Sequence, residues 1–72
     1  LNIFPNPFNE SISLNTNINY MGENIEIYNL VGQLCFQTKL SGLSSKINLE
    51  TLSKGIYLLK TDKLKSITII KY

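Results

Sequence analysis

The stretch that decides the fold is NIEIYNLVGQLCFQTKL, residues 24–40, in which two apolar-rich runs flank a turn that contains glycine. Alternation with a period of two places every second side chain on one face of a strand, so residues 24–28 predict a strand with Ile25 and Ile27 inward. Asn29 can open a turn by bonding its own backbone, and Gly32 adopts positive φ at little cost. The stretch therefore predicts a β-hairpin closed by a type I turn and a glycine bulge. Its return strand is predicted over residues 34–40, with inward side chains Leu34, Phe36 and Leu40.

Short alternating runs of the same kind recur on both sides of this hairpin, separated by turn residues. Further strands are predicted at residues 2–4, 11–15, 46–49, 56–60 and 66–72. The run at 56–60 is apolar on both faces, as in a strand at the centre of a sheet, and Gly55 closes the turn before it. The chain has no alanine and many strand-forming residues, which argues against helices. Seven short strands therefore predict an all-β chain that folds as an antiparallel β-sandwich.

Both prolines of the chain lie in the segment FPNPF, residues 4–8. Proline fixes φ and has no backbone donor, so this segment can be neither a helix nor a central strand. Asn6 is restricted as well, because a residue before proline is driven toward extended geometry. The segment predicts a stiff lead-in to the sandwich with an aromatic anchor on each side.

Length and charge narrow the class of protein further. A chain of 72 residues is one domain at most, and a domain of this size buries only about 60% of its unfolded surface. The net charge of +2 comes from seven scattered lysines without arginine, whereas a nucleic-acid interface has a denser basic patch. We therefore expect the lysines to be solvated on strand faces and edges.

No apolar run approaches the roughly 18 residues of a membrane span. Residues 1–72 start at Leu1 without a signal peptide, which indicates one domain at the C-terminal end of a longer precursor.

Catalytic residue patterns are missing from the sequence. Cys35 is the one candidate nucleophile, but the chain has no histidine to act as its base. A cysteine within an apolar hairpin is more typical of a small hydrophobic side chain. The carboxylates occur singly, without the pattern of a calcium loop or an acid-base pair, and zinc requires clusters of Cys and His. The sequence therefore predicts no enzyme, no catalytic residue, no metal site and no cofactor.

The tyrosines admit two interpretations. Aromatic rings on a sheet can stack against a sugar, or they can form the rim of the core. Most of these residues lie in predicted strands beside aliphatic neighbours, which favours the core. The residues concerned are Tyr20, Tyr28, Tyr57 and Tyr72.

The order of the motifs is more distinctive than any one of them. The chain reads IFPNPF at residues 3–8, IYNLVGQ at 27–33, INL at 47–49, LSKGIYLLK at 52–60, and a lysine-bearing apolar strand at its end. This order resembles the type A C-terminal sorting domain of the type IX secretion system of Bacteroidota. The resemblance extends over essentially the whole chain.

The resemblance implies an immunoglobulin-like sandwich at the C-terminus of a secreted precursor. It also implies passage of the domain through the inner membrane and the periplasm together with a covalently attached N-terminal cargo. The outer-membrane translocon would then recognise the domain, and a sortase-like cysteine peptidase would remove it at the cell surface. The expected location is therefore secreted or cell-surface, and the domain acts as a signal that catalyses nothing.

The family motifs correspond to particular residues of this sequence. The Pro-Asn-Pro motif, the hairpin glycine, the Gly-x-Tyr motif and the basic terminal strand correspond to Pro5, Asn6, Pro7, Gly32, Gly55, Tyr57, Ile67, Ile69 and Lys71. The chain departs from the family where Asn29 replaces the usual Asp and Gln33 the usual Lys or Arg. Asparagine can make the same turn-opening bond, but the charge pair is lost.

Three functions remain distinguishable from the sequence. The sorting signal is favoured by the Pro-Asn-Pro motif and the terminal strand. The strand at residues 66–72 has a free end and two partly apolar faces, and it either docks on a receptor by strand addition or merely completes the sheet. An adhesion or carbohydrate-binding module would more often carry an exposed tryptophan, and this chain has none. A structural spacer would not need the chain to end at its last strand.

Overall fold

The computed structural model describes residues 2–16, 22–40, 42–62 and 66–72, and these residues form strands and turns without a helix. Seven strands divide into a three-stranded sheet of order β1-β2-β5 and a four-stranded sheet of order β4-β3-β6-β7. All strand pairs are antiparallel. The predicted all-β sandwich is confirmed. The strands are β1 (Asn2–Phe4), β2 (Ser11–Asn15), β3 (Asn24–Asn29), β4 (Leu34–Lys39), β5 (Ser44–Asn48), β6 (Gly55–Thr61) and β7 (Ile67–Lys71).

The chain changes sheets three times, after β2, after β4 and after β5. As a result β5 pairs with β2 and β6 pairs with β3, so that strands distant in sequence become neighbours. The arrangement is of immunoglobulin type, with the fourth strand placed beside the third. β6 lies between β3 and β7, which confirms the central position predicted from its apolar character on both faces.

The core lies between the two sheets and is built from alternate positions along the strands. The predicted inward residues Ile25 and Ile27 of β3 are fully buried. Each such aliphatic side chain contributes about 1.5–3 kcal/mol on leaving water. The remaining buried hydrophobic residues are Phe8, Ile12, Leu14, Leu40, Ile47, Leu49, Tyr57, Leu59 and Ile69.

The hairpin between β3 and β4 has the predicted turn. The Asn29 Oδ1 accepts hydrogen bonds from the backbone N–H groups of Val31 (3.1 Å) and Gln33 (2.9 Å). Gly32 has φ +88°, and its N–H donates to the Asn29 carbonyl (3.1 Å). The Asn29 Nδ2 also donates to the Gln33 Oε1 (2.8 Å). Asn29 and Gln33 are therefore joined by a hydrogen bond between their amides, at positions where the family that the sequence resembles usually has an acidic and a basic residue.

The predicted inward orientation of Leu34 is wrong. A register shift places Phe36 opposite Ile27 but Leu34 opposite Tyr28, so Cys35 is an extra residue in β4. A β-bulge of this kind changes the face of every residue on one side of it. Phe36 therefore packs against the core while Leu34 points away from it and is 49% exposed. Cys35 itself is half-buried against the core, in keeping with the small hydrophobic role predicted for it.

β5 begins at Ser44, two residues before its predicted start at residue 46. The cause is its partner strand, because β2 pairs along its full length and places Asn15 opposite Ser44. Pairing with a neighbour thus extends the strand into a segment whose own composition is that of a loop.

Candidate functional site

The family motif residues, Gly32 apart, meet around β7. Ile67, Ile69 and Lys71 lie on this strand, where Ile69 is opposite Tyr57 and Lys71 is opposite Gly55. The Pro-Asn-Pro segment runs along the other side of β7. Gly32 lies in the β3–β4 hairpin instead. Motifs from the start, the middle and the end of the sequence therefore form one site.

The outer edge of β7 is occupied by the chain itself. The Asn6 Nδ2 donates to the Thr68 carbonyl (3.0 Å), and the Ile70 N–H donates to the Asn6 Oδ1 (3.1 Å). The Phe8 N–H donates to the Ile70 carbonyl (2.8 Å), and the Tyr72 N–H donates to the Phe8 carbonyl (3.0 Å). Of the two alternatives for this strand, docking by strand addition is blocked at residues 68–72, because their outer backbone groups already have partners.

The two aromatic residues that flank the Pro-Asn-Pro motif differ in their surroundings. Phe8 is fully buried in the core and forms a parallel bridge with Lys71. Phe4, at the end of β1, is 46% exposed. The lead-in therefore has one aromatic anchor rather than two. The peptide bonds Phe4–Pro5 and Asn6–Pro7 are both cis.

Lys71 is buried, contrary to the prediction that the lysines are solvated. Its side chain is 8% exposed, and its Nζ donates to the backbone carbonyls of Leu49 (2.7 Å), Glu50 (3.0 Å) and Leu52 (2.6 Å). An ammonium group has three donors, and here all of them are bonded. Lys71 shares the inward face of β7 with Ile69, and the turn after β5 passes beneath it. The prediction that Lys71 is solvated is wrong because the sequence does not show which segment covers the inward face of β7.

Tyr57 and Gly55 complete the same corner of the sandwich. The Tyr57 hydroxyl donates to the Ser53 carbonyl (2.6 Å), four residues upstream. A tyrosine near the start of this strand that bonds back to the preceding turn is a tyrosine corner, a known feature of immunoglobulin-like sandwiches. Gly55 has φ +151° with open space around it, so a side chain is excluded by backbone conformation rather than by crowding.

Gly55→Val is expected to destabilise the domain by about 1–3 kcal/mol, because a β-branched residue would have to adopt a backbone conformation that only glycine visits readily. The measurement is a thermal or urea denaturation curve. Gly42→Val is the matched control, since Gly42 has no positive φ and a Cβ there meets only ordinary contacts. Equal stability of the two variants would contradict the conformational role of Gly55.

The outer face of the four-stranded sheet carries several apolar side chains. We define this outer face by Tyr28, Leu34, Ile56, Leu58 and Ile70, which are paired across the strands as Leu34–Tyr28–Leu58 and Ile56–Ile70. The Lys60 Nζ lies 5.1 Å from the centroid of the Tyr28 ring, within reach of a cation–π contact. Partial burial and the neighbouring Glu26 carboxylate raise the pKa of the Tyr28 hydroxyl.

The tyrosines do not behave as one group. Tyr57 is buried in the core, as predicted. Tyr28 lies on the outer face, and Tyr72 is 63% exposed, so the prediction of a core position is wrong for these two. Tyr20 lies outside the described residues. Further apolar side chains are exposed at the tip of the β3–β4 hairpin, where Leu30 is 66% and Val31 is 80% exposed.

The described residues form no cluster of side chains that could hold a metal ion. Within residues 2–16, 22–40, 42–62 and 66–72, no three His, Cys, Asp or Glu side chains are placed to hold a metal ion. The same residues contain no helix long and apolar enough to cross a membrane. The site around β7 is thus built from backbone hydrogen bonds, one buried ammonium and core side chains. These contacts fix the shape of the site.

Comparison with known proteins identifies the family. Searches against curated proteins and against solved structures found no match. The family described as the secretion system C-terminal sorting domain matches residues 2–72. A family of sorting domains is not known for enzymatic activity. A sorting signal of this kind implies a secreted or cell-surface protein. It also implies interaction with the type IX machinery and attachment to a cargo. The chain belongs to the C-terminal sorting domains of the type IX secretion system.

Proposed function

We propose that this domain is the C-terminal signal that takes an N-terminally attached cargo from the periplasm through the outer-membrane translocon of the type IX system. The observation that supports the proposal most is the family match across residues 2–72. The closed sandwich agrees with it, because a signal recognised after folding needs a stable shape. An adhesion or carbohydrate-binding role has no comparable support.

The buried motif residues contribute to export by building the domain. Ile69 and Tyr57 are core residues, and the Lys71 ammonium is bonded to three carbonyls, so these groups present little surface to a partner. Contact with the translocon is therefore assigned to exposed groups. Among the residues that the structure describes, the most exposed neighbouring apolar pair is Leu30 and Val31 at the hairpin tip. Exposed apolar residues that lie together are typical of protein-binding surfaces.

Removal of the domain by a sortase-like cysteine peptidase is part of the proposal, with cleavage on the N-terminal side of the Pro-Asn-Pro motif. Residues 6–8 are bonded to β7, and Phe8 is a core residue. β1 (Asn2–Phe4) precedes them and pairs with β2, so a cut on the N-terminal side of Asn2 would release the cargo and leave both sheets complete. We therefore expect the cut between the cargo and Asn2, where no strand pairing of the sandwich is lost.

The sorting role is tested by fusing residues 1–72 to the C-terminus of a fluorescent protein that folds in the periplasm. The fusion is produced in a type IX-competent bacterium, and fluorescence is measured at the cell surface and in the medium. We expect export of the fusion, and periplasmic retention of the same fluorescent protein without the domain. An isogenic strain without the translocon is the second control. Retention of the intact fusion in the competent strain would refute the proposed function.

The hairpin tip is tested with the double variant Leu30→Ser, Val31→Ser. Both side chains are exposed, so the free energy of unfolding should change by no more than about 0.5 kcal/mol. Export of the fusion is expected to fall at least about tenfold, the loss that about 1.4 kcal/mol of binding energy would cause. Leu43→Ser, at another exposed leucine, is the matched control. Full export by a folded double variant would exclude the hairpin tip as the contact surface.

A further inference from the structure

β7 lies at the edge of its sheet, where backbone groups have no neighbouring strand to pair with. An edge strand presents a row of unpaired backbone N–H and C=O groups, which can pair with a strand of another chain and cause aggregation. β7 is the last strand of the four-stranded sheet, so one of its sides faces away from β6. The backbone groups on that side include the Thr68 carbonyl, both groups of Ile70, and the Tyr72 N–H. All four are bonded to residues 6 and 8.

The bonds follow a single parallel pattern. Phe8 uses its backbone to bond to Ile70 and Tyr72, as one residue of a parallel strand bonds to two residues of its neighbour. Asn6 makes the equivalent pair of bonds to Thr68 and Ile70, two residues earlier, with its side-chain amide. A primary amide carries one acceptor and donors in the same plane, so it reproduces the bonding capacity of a peptide group. The side chain thus continues the pattern where the backbone between two prolines cannot.

We propose that the Asn6 side chain makes the hydrogen bonds that the backbone of a neighbouring strand would make. Together with Phe8, it prevents the outer edge of β7 from pairing with another chain. The occupant of this edge is the domain's own segment, residues 6–8. Recognition of β7 by strand addition is excluded while the segment is in place. This role is independent of the proposed secretion function, because it concerns the isolated domain in solution.

The prolines explain why residues 6–8 do not themselves form a new edge strand. A complete added strand would present its own row of unpaired backbone groups on its outer side, and these could again pair with another chain. Pro5 and Pro7 have no backbone N–H, so the segment itself offers few donors on its far side. Pro5, Asn6 and Pro7 are all exposed, which is compatible with a segment that covers an edge without becoming a new one.

The test compares Asn6→Ala with Asn9→Ala in the purified domain. Asn9 is an exposed asparagine that directly follows this segment and serves as the matched control. Amide hydrogen exchange at Ile70 should become at least about tenfold faster in Asn6→Ala, while exchange at Leu59 in the sheet centre stays unchanged. Sedimentation velocity should show a concentration-dependent dimer or larger oligomer for Asn6→Ala, and a monomer for Asn9→Ala. Unchanged exchange at Ile70, or a variant that stays as monomeric as its control, would overturn the proposal.

A second pair of variants covers the case in which Asn6→Ala fails to fold. Asn6→Asp keeps the acceptor for the Ile70 N–H, but its carboxylate has no donor for the Thr68 carbonyl and repels it. The protonated acid regains that donor, so folding raises the pKa of the introduced carboxyl group above its ordinary value of about 3.9. A raised folded-state pKa adds stability below about pH 4 that is lost as the pH rises. The Tm deficit of Asn6→Asp relative to Asn9→Asp should therefore shrink as the pH falls from 7 to about 3.5. A deficit that does not change with pH would overturn the two-bond role of Asn6.

Discussion

Deletion of Ile69 to Tyr72 is expected to leave a chain that does not fold. A domain of 72 residues has roughly 4–11 kcal/mol of stability on the usual per-residue scale. The deletion removes a fully buried isoleucine, whose loss alone costs about 2–5 kcal/mol. It also removes the Lys71 ammonium and the bonds that Phe8 makes to residues 70 and 72. The combined loss equals or exceeds the whole stability of the domain.

Circular dichroism and a thermal melt measure the effect of the deletion. The truncated chain should show no cooperative transition, whereas deletion of Tyr72 alone should keep one, because this side chain is mostly exposed. Loss of export of the truncated fusion would follow from loss of the fold. A truncated chain that still melts cooperatively would contradict the requirement for β7 in folding.

Local periodicity predicts most of this fold. The alternation in β2 and β3 identifies Ile12, Leu14, Ile25 and Ile27 as core residues, and all four are fully buried. The glycine turn at Gly32 follows from local backbone chemistry, as its φ of +88° confirms. These features depend on a few consecutive residues, and the sequence shows those directly.

The features that escaped prediction depend on contacts between distant residues. Asn6 lies more than sixty residues from its partners in β7, with separations of 62 and 64. Lys71 looks like any surface lysine until the turn after β5 supplies its three carbonyls. The prediction for Leu34 is wrong for a different reason. One extra residue in β4, Cys35, moves the Leu34 side chain to the opposite face of the sheet. Motif recognition marked Asn6 and Lys71 without giving the physical role of either.

Lys71→Met is expected to destabilise the domain by about 2–4 kcal/mol. The methionine side chain has nearly the same length and packs well, but it leaves the carbonyls of Leu49, Glu50 and Leu52 without their donor. Removal of one partner from a buried polar contact leaves the desolvation penalty of the others, about 1–3 kcal/mol per group when no water replaces the donor. Partial access of water to this corner reduces the sum below three full penalties. Lys71→Arg should restore only part of the loss, since a planar guanidinium is larger and does not match three carbonyls that converge on one point.

Urea denaturation of Lys71→Met and Lys54→Met separates this structural role from a role of charge. Lys54 is exposed, so its replacement removes the same charge without a buried contact and should cost no more than about 0.5 kcal/mol. If the basic end of the chain serves as a charge for a receptor, export should fall in Lys71→Met but persist in Lys71→Arg, which keeps the charge. If the ammonium instead holds the corner between the sheets, loss of export should follow loss of stability across the Met and Arg variants. We expect the second result, because all three donors of Lys71 already have partners within the domain.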